Sequence, residues 1–148
     1  MKQMNKPLSM VFALALALSL APSAKAESDE CSVSTLKGSF GIATSGSIVA
    51  FGPVGLIAEV GVIKFDGAGG VSQTTTLSSN GTILTNRSTI SGSYEVNSDC
   101  TGDLSLVLPV PSGTITSTSH FVIVDHGKEI RLVNTGAGRV LLGNARKQ

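Results

Sequence analysis

From Leu36 to Ala145 apolar and small polar residues alternate with a period of two, and glycine-bearing turn signals interrupt the alternation at short intervals. Gly, Ser, Thr and Val dominate, and no alanine- or glutamate-rich run of helical period occurs. This pattern predicts an all-β chain. Eight strand-like segments lie near Gly38–Ser45, Leu56–Phe65, Val71–Ser79, Ser88–Val96, Asp103–Leu108, Thr116–Val124, Glu129–Asn134 and Arg139–Ala145. The links "DGAGG", "NSDCTG", "DHGK" and "TGAG" place glycine where the backbone can turn through positive φ. A parallel return needs a crossover of a dozen or more residues, so links this short make consecutive strands antiparallel. Antiparallel strands in sequence order close naturally into an up-and-down barrel, which removes exposed edges. The alternative is a Greek-key β-sandwich, whose crossings the longer links around Gly52–Gly55 and Pro109–Gly113 would serve.

The N-terminus adds a different signal. Lys2 and Lys6 precede an apolar run from Leu8 to Leu20, and Ala24-Lys25-Ala26 has the small-x-small form of a signal-peptidase site. Residues 1–26 are therefore expected to be an export signal, residues 27–35 an N-terminal segment, and residues 36–148 the barrel domain. After cleavage the chain is expected to be periplasmic or extracellular, with no integral membrane insertion. An outer-membrane barrel would need strands of about 9–11 residues and aromatic girdles. Only Phe40, Phe51, Phe65, Tyr94 and Phe121 are aromatic beyond the signal.

Loss of Lys2, Lys6 and Lys25 with the signal leaves eight bases against ten acids, a balance of −2. A weakly acidic chain without a basic run has no electrostatic reason to bind nucleic acid. Cys31 and Cys100 are the two cysteines, and in an oxidising compartment an even pair reads as one disulfide. It would tether residues 27–35 to a turn far along the chain.

The stretches "LKGSFGIATSG", "GVIKFDGAGGVS", "ISGSYEVNSDCTGDLSL" and "HFVIVDHGKEIRLVNT" together resemble small exported bacterial proteins, mostly uncharacterised, with an allene oxide cyclase-like barrel. The resemblance spans about Leu36 to Lys147, and its motifs are strand ends and turns. It implies a calycin-like antiparallel barrel whose interior can hold a small hydrophobic molecule. It carries no catalytic residue over to this chain.

"DGAGG" is followed by the threonine-rich "VSQTTTLSS" rather than by a helix, and Asp66 is its single carboxylate. A phosphate cradle and a calcium loop are both excluded, and the segment reads as a hairpin turn bridged by Asp66. No nucleophile elbow, zinc-protease motif or Walker loop is present. "NGT" at Asn80 and "NRS" at Asn86 match glycosylation sequons, which count only in a host that glycosylates exported proteins.

Three side chains are candidates for a site. Glu59 sits mid-strand among Ile57, Ala58, Val60 and Val62, where a carboxylate turned inward would act as a general acid or orient a ligand. The rarity of buried charge favours the alternative, in which it faces water or pairs with Lys64 or Arg131. Tyr94 is a candidate ligand-binding or catalytic hydroxyl, set against the commoner core tyrosine with a satisfied oxygen. His120 is a candidate ligand contact, but His126, the other histidine, falls in a turn and the pair has no metal-ligand spacing. No metal and no cofactor is implied.

Three functions follow as expectations. The first is binding of a small hydrophobic molecule in the barrel without catalysis, and the second is a cyclase or isomerase acting through Glu59 or Tyr94. The third is a non-catalytic envelope or interaction protein with a filled barrel. A homo-oligomer is allowed by "HFVIVD" and "LIAEVGVIKF", which are apolar on both faces. A lumen packed solid by Ile90, Tyr94, Val122 and Leu132 would exclude both ligand functions.

Overall fold

A computed structural model describes residues 30–50, 54–110 and 113–148. The expected export signal lies outside the described residues. Eight strands are formed: β1 (Lys37–Ile48), β2 (Gly55–Asp66), β3 (Gly70–Ser79), β4 (Thr82–Val96), β5 (Thr101–Val110), β6 (Gly113–Val124), β7 (Glu129–Asn134) and β8 (Arg139–Lys147). Each pairs antiparallel with its sequence neighbour, and β8 closes the barrel on β1 from Phe40 opposite Lys147 to Ile48 opposite Arg139. The up-and-down barrel is thus the fold, and the Greek-key alternative is not. Of the residues that suggested longer crossings, Gly55 opens β2, Pro109 and Val110 end β5 and Gly113 opens β6, while residues 52, 53, 111 and 112 lie outside the described residues.

The two ends of the barrel differ. At the lower end Asp66 bridges the β2–β3 turn as expected, its Oδ1 accepting from the Ala68 and Gly70 amides at 2.7 and 2.9 Å. These amides hold its carboxyl below the ordinary aspartate range. Asp99 does the same for the β4–β5 turn. Its Oδ1 accepts from the Thr101 hydroxyl and amide, which likewise lower its pKa. A short 3-10 helix, Val33–Thr35, crosses this lower end, and the Cys31–Cys100 disulfide ties it to the β4–β5 turn.

Register decides what fills the barrel, because successive side chains point alternately in and out. Near the lower end the inward positions hold Leu36, Phe40, Ile63, Phe65, Tyr94, Phe121, Ile130 and Ala145, each no more than 2 % exposed. Phe65 packs edge-on against Phe40 and Tyr94, with ring centroids 5.4 and 4.9 Å away. Higher in the lumen the same inward positions turn polar. Phe40 and Ile42 give way to Thr44 on β1, Val71 to Gln73 and Thr75 on β3, Phe121 to Ser119 and Ser117 on β6, and Ile130 and Leu132 to Asn134 on β7. The barrel is therefore a plugged cup, apolar and close-packed below and polar above.

Val122 corrects one expectation. It faces outward and is 38 % exposed, because Phe121 and Ile123 take the inward positions of β6. The packed lower half is built by aromatic residues and does not extend to the upper rim.

Candidate functional site

Glu59 faces the lumen. It lies opposite Thr44 on β1 and Leu77 on β3, on the same face of β2 as Ile57, Ile63 and Phe65. The outward alternative, with pairing to Lys64 or Arg131, is overturned by this register. Lys64 points out, and Arg131 donates to Glu129 at 3.1 Å on the outer surface.

Three neutral donors hold the Glu59 carboxylate. Thr44 Oγ1 donates to Oε2 at 3.1 Å, Gln73 Nε2 donates to Oε1 at 2.9 Å, and Thr75 Oγ1 also donates to Oε1. Gly61 makes this crowding possible. It sits opposite Thr75, and a Cβ on it would come within 2.6 Å of Thr75 Cγ2. Hydrogen bonds to the charged form offset part of the cost of bringing a carboxylate into a barrel. No lysine, arginine or histidine lies within 4.0 Å of the carboxylate among the described residues.

The carboxylate lines a cavity of about 60 Å³ in the upper lumen. Ile42, Leu104, Leu106, Leu132 and Leu141 form its apolar walls, with Thr44, Gln73, Ser117, Ser119 and Asn134 as polar neighbours. Across the lumen from Glu59, Ser117 Oγ accepts from Asn134 Nδ2 at 3.0 Å and from an Arg139 guanidinium nitrogen at 3.2 Å. Thr44, Glu59, Ser117 and Leu141 are inward-facing yet only half-buried, as expected of a lumen wetted from above.

Tyr94 lies elsewhere. Its hydroxyl accepts from the Gly67 amide at 3.1 Å, and its proton faces the Val33 and Leu36 carbonyls at 2.8 and 3.0 Å. Those partners belong to the plug at the lower end, so the oxygen is committed to backbone and does not line the cavity. Burial pushes the phenol above its ordinary pKa of 10.0. His120 is also outside the lumen. It faces solvent beside Phe121, and its Nδ1 lies 3.2 Å from Asp103 Oδ1 on the neighbouring strand. The structure therefore brings neither Tyr94 nor His120 to Glu59.

Thr44, Gln73, Thr75, Ser117, Asn134 and Arg139 complete the polar half of the lumen, and none was singled out from sequence. Their signal was present as polar residues at inward parity in β3 and β6, where neighbouring inward positions are Val71 and Phe121. Among the described residues no three of His, Cys, Asp and Glu gather where they would hold a metal ion.

A broad groove runs over the outer face of β1, between Leu56 and Ala58 of β2 and Val140 and Leu142 of β8. Its floor is the small residues Ser45 and Ser47, and Leu56, Val140 and Leu142 are each more than 60 % exposed.

Compared with known proteins, the chain matches no family model, no curated protein and no solved structure. What it defines by itself is a class: a closed eight-stranded antiparallel barrel with one end plugged and one polar-lined.

Proposed function

We propose that the protein binds a small molecule with an apolar portion in the upper lumen of its barrel, without catalysing a reaction on it. The observation that carries this reading is the inward Glu59 carboxylate at the wall of a leucine-lined cavity of about 60 Å³. Small-molecule sites combine apolar walls with a few placed polar groups, and the upper lumen has both. A cavity of this size has room for roughly two waters, so a ligand enters it by one end and rests the remainder toward the rim. An allene oxide cyclase-like, calycin-like relationship is compatible with the architecture. The Cys31–Cys100 disulfide supports residence in an oxidising compartment, periplasmic or extracellular.

Catalysis by a cyclase or isomerase would leave Glu59 as its single acid–base group, because the Tyr94 hydroxyl is held by backbone at the other end. The absence of a second ionisable group beside that carboxylate among the described residues disfavours this reading.

Native mass spectrometry of protein purified from its own host tests the proposal, together with thermal shifts across a panel of lipids and metabolites. A bound mass that dissociates on activation, or a shift of several degrees with one chemical class, is the expected result. An unliganded mass and no shift across the panel would replace binding by the filled-barrel interaction protein. For that protein the exposed Leu56, Val60, Val140 and Leu142 would be the place to look.

A further inference from the structure

Resting on the proposal that the upper lumen binds a ligand, we infer that the ligand presents a cationic ammonium group to Glu59. The carboxylate has three hydrogen bonds from Thr44, Gln73 and Thr75, and all three donors are neutral. They supply dipoles but no charge. The guanidinium placed at this end of the lumen, that of Arg139, donates to Ser117 at 3.2 Å and makes no ion pair with Glu59. A half-buried carboxylate is therefore held in place by neutral donors, with no counter-ion from the described residues. The unspent acceptor capacity is on Oε2, which takes one bond where Oε1 takes two.

A protonated amine is the group that completes such a site. It brings the missing positive charge and donors for Oε2, and it can donate onward to hydroxyl oxygens. Ser117 and Ser119 line the same cavity. An alcohol would supply the donor without the charge, and a carboxylate ligand would meet like charge. The flanking Ile42, Leu104, Leu106, Leu132 and Leu141 suit an aliphatic stem behind the ammonium. The class is thus a small primary aliphatic amine, with its head against Glu59 and its stem along the leucine-lined wall of the cavity.

The probes are n-butylammonium, 1-butanol and butyrate, which share a stem and differ in the head. Chemical-shift titration of the purified full chain reads each affinity, expected on the order of millimolar for ligands this small. The same titration is repeated with E59Q, which keeps the side-chain shape and removes the charge. Butylammonium binding at least tenfold more tightly than butanol, with the preference lost in E59Q, is the expected outcome. Equal binding of butanol and butylammonium to the native protein would overturn the ammonium assignment while leaving the binding lumen in place, and needs no variant. Binding of none of the three, with no shift at the leucine methyl groups of the cavity, would overturn both.

Discussion

Replacing Tyr94 by Phe removes one oxygen and leaves the ring, so it isolates what the hydroxyl does for the plug. That oxygen accepts from the Gly67 amide in the β2–β3 turn and faces the carbonyls of Val33 and Leu36 on either side of the 3-10 helix. It pins together segments 58 and 27 residues away in sequence. The hydroxyl has one proton, so its full complement is one accepted and one shared donated bond. Each net bond is worth about 1 kcal/mol, and stranding a buried partner adds about 1–3 kcal/mol. The expected loss is about 3 kcal/mol, with the edge-on contact to Phe65 retained. For a domain of this length about 4 °C of Tm follows each kcal/mol, so Y94F should melt about 12 °C lower by circular dichroism. The Cys31–Cys100 bridge anchors the same segment and in the chain-entropy model contributes about 4 kcal/mol. In a C31S/C100S background the plug is already loosened, so Y94F should there cost less than half its effect in the bridged protein. A loss under about 3 °C in the bridged protein, or strict additivity with the cysteine substitutions, would refute the shared clamp.

Three further outcomes follow from the same geometry. Tyr94 is the single tyrosine, and its pKa is raised by burial. Its stabilising contribution is full below the unfolded value near pH 10 and is lost as pH rises from there through the higher folded value. Absorbance at 295 nm should show ionisation only above pH 10 and together with unfolding, and a folded-state midpoint at or below 10 would contradict it. Asp66 has the opposite sign: its pKa lies below 3.8 because the Ala68 and Gly70 amides favour the carboxylate. Its contribution is full above about pH 4 and disappears as pH falls through the lower folded value, so D66N should flatten the acid limb of stability. A carboxyl-carbon NMR midpoint at or above 3.8 would sink this account. Finally, a Cβ at Gly102 would collide with the Glu95 carbonyl and approach Phe121 Cε2 at 2.8 Å. G102A should cost about 2 kcal/mol and displace the Phe121 ring, where an unchanged melt would show the strand yields freely.

The strand plan was readable because seven of the connections are local and carry turn residues. The largest boundary error was the start of β4, expected at Ser88 and found at Thr82. Asn80 and Gly81 make the two-residue turn there, with φ of 48° and 83°, and asparagine–glycine between alternating runs is a strong hairpin signal. What hid the strand was irregularity beyond the turn. The β3–β4 register shifts between Thr75 and Ser78, and Arg87 has φ of 54°. The alternation breaks there, and parity no longer predicts a face.

Glu59 was misread for a different reason. β2 is apolar on both faces, so composition does not say which parity is inside. Only pairing to β1 and β3 does, and it puts the bulky Phe65, Ile63 and Ile57 inward and the valines outward. Once that register is fixed, the donors of Glu59 become visible as the polar inward residues of the adjoining strands. The tertiary pairing, not local propensity, held the information about the site.

The seam between β1 and β8 is the one strand pairing of the barrel that joins elements not adjacent in sequence. Seven hairpin seams can form as the chain emerges, but until Arg139–Lys147 arrives the sheet has two free edges. Free edges invite pairing with other copies, and basic residues are a common deterrent. β8 carries Arg139, Arg146 and Lys147, whereas β1 carries only Lys37. Two copies whose β8 has formed but not yet paired with β1 would repel along β8, while β8 meets little opposition from β1 of its own chain. The charges of β8 thus bias its pairing toward closing a ring rather than starting a fibre.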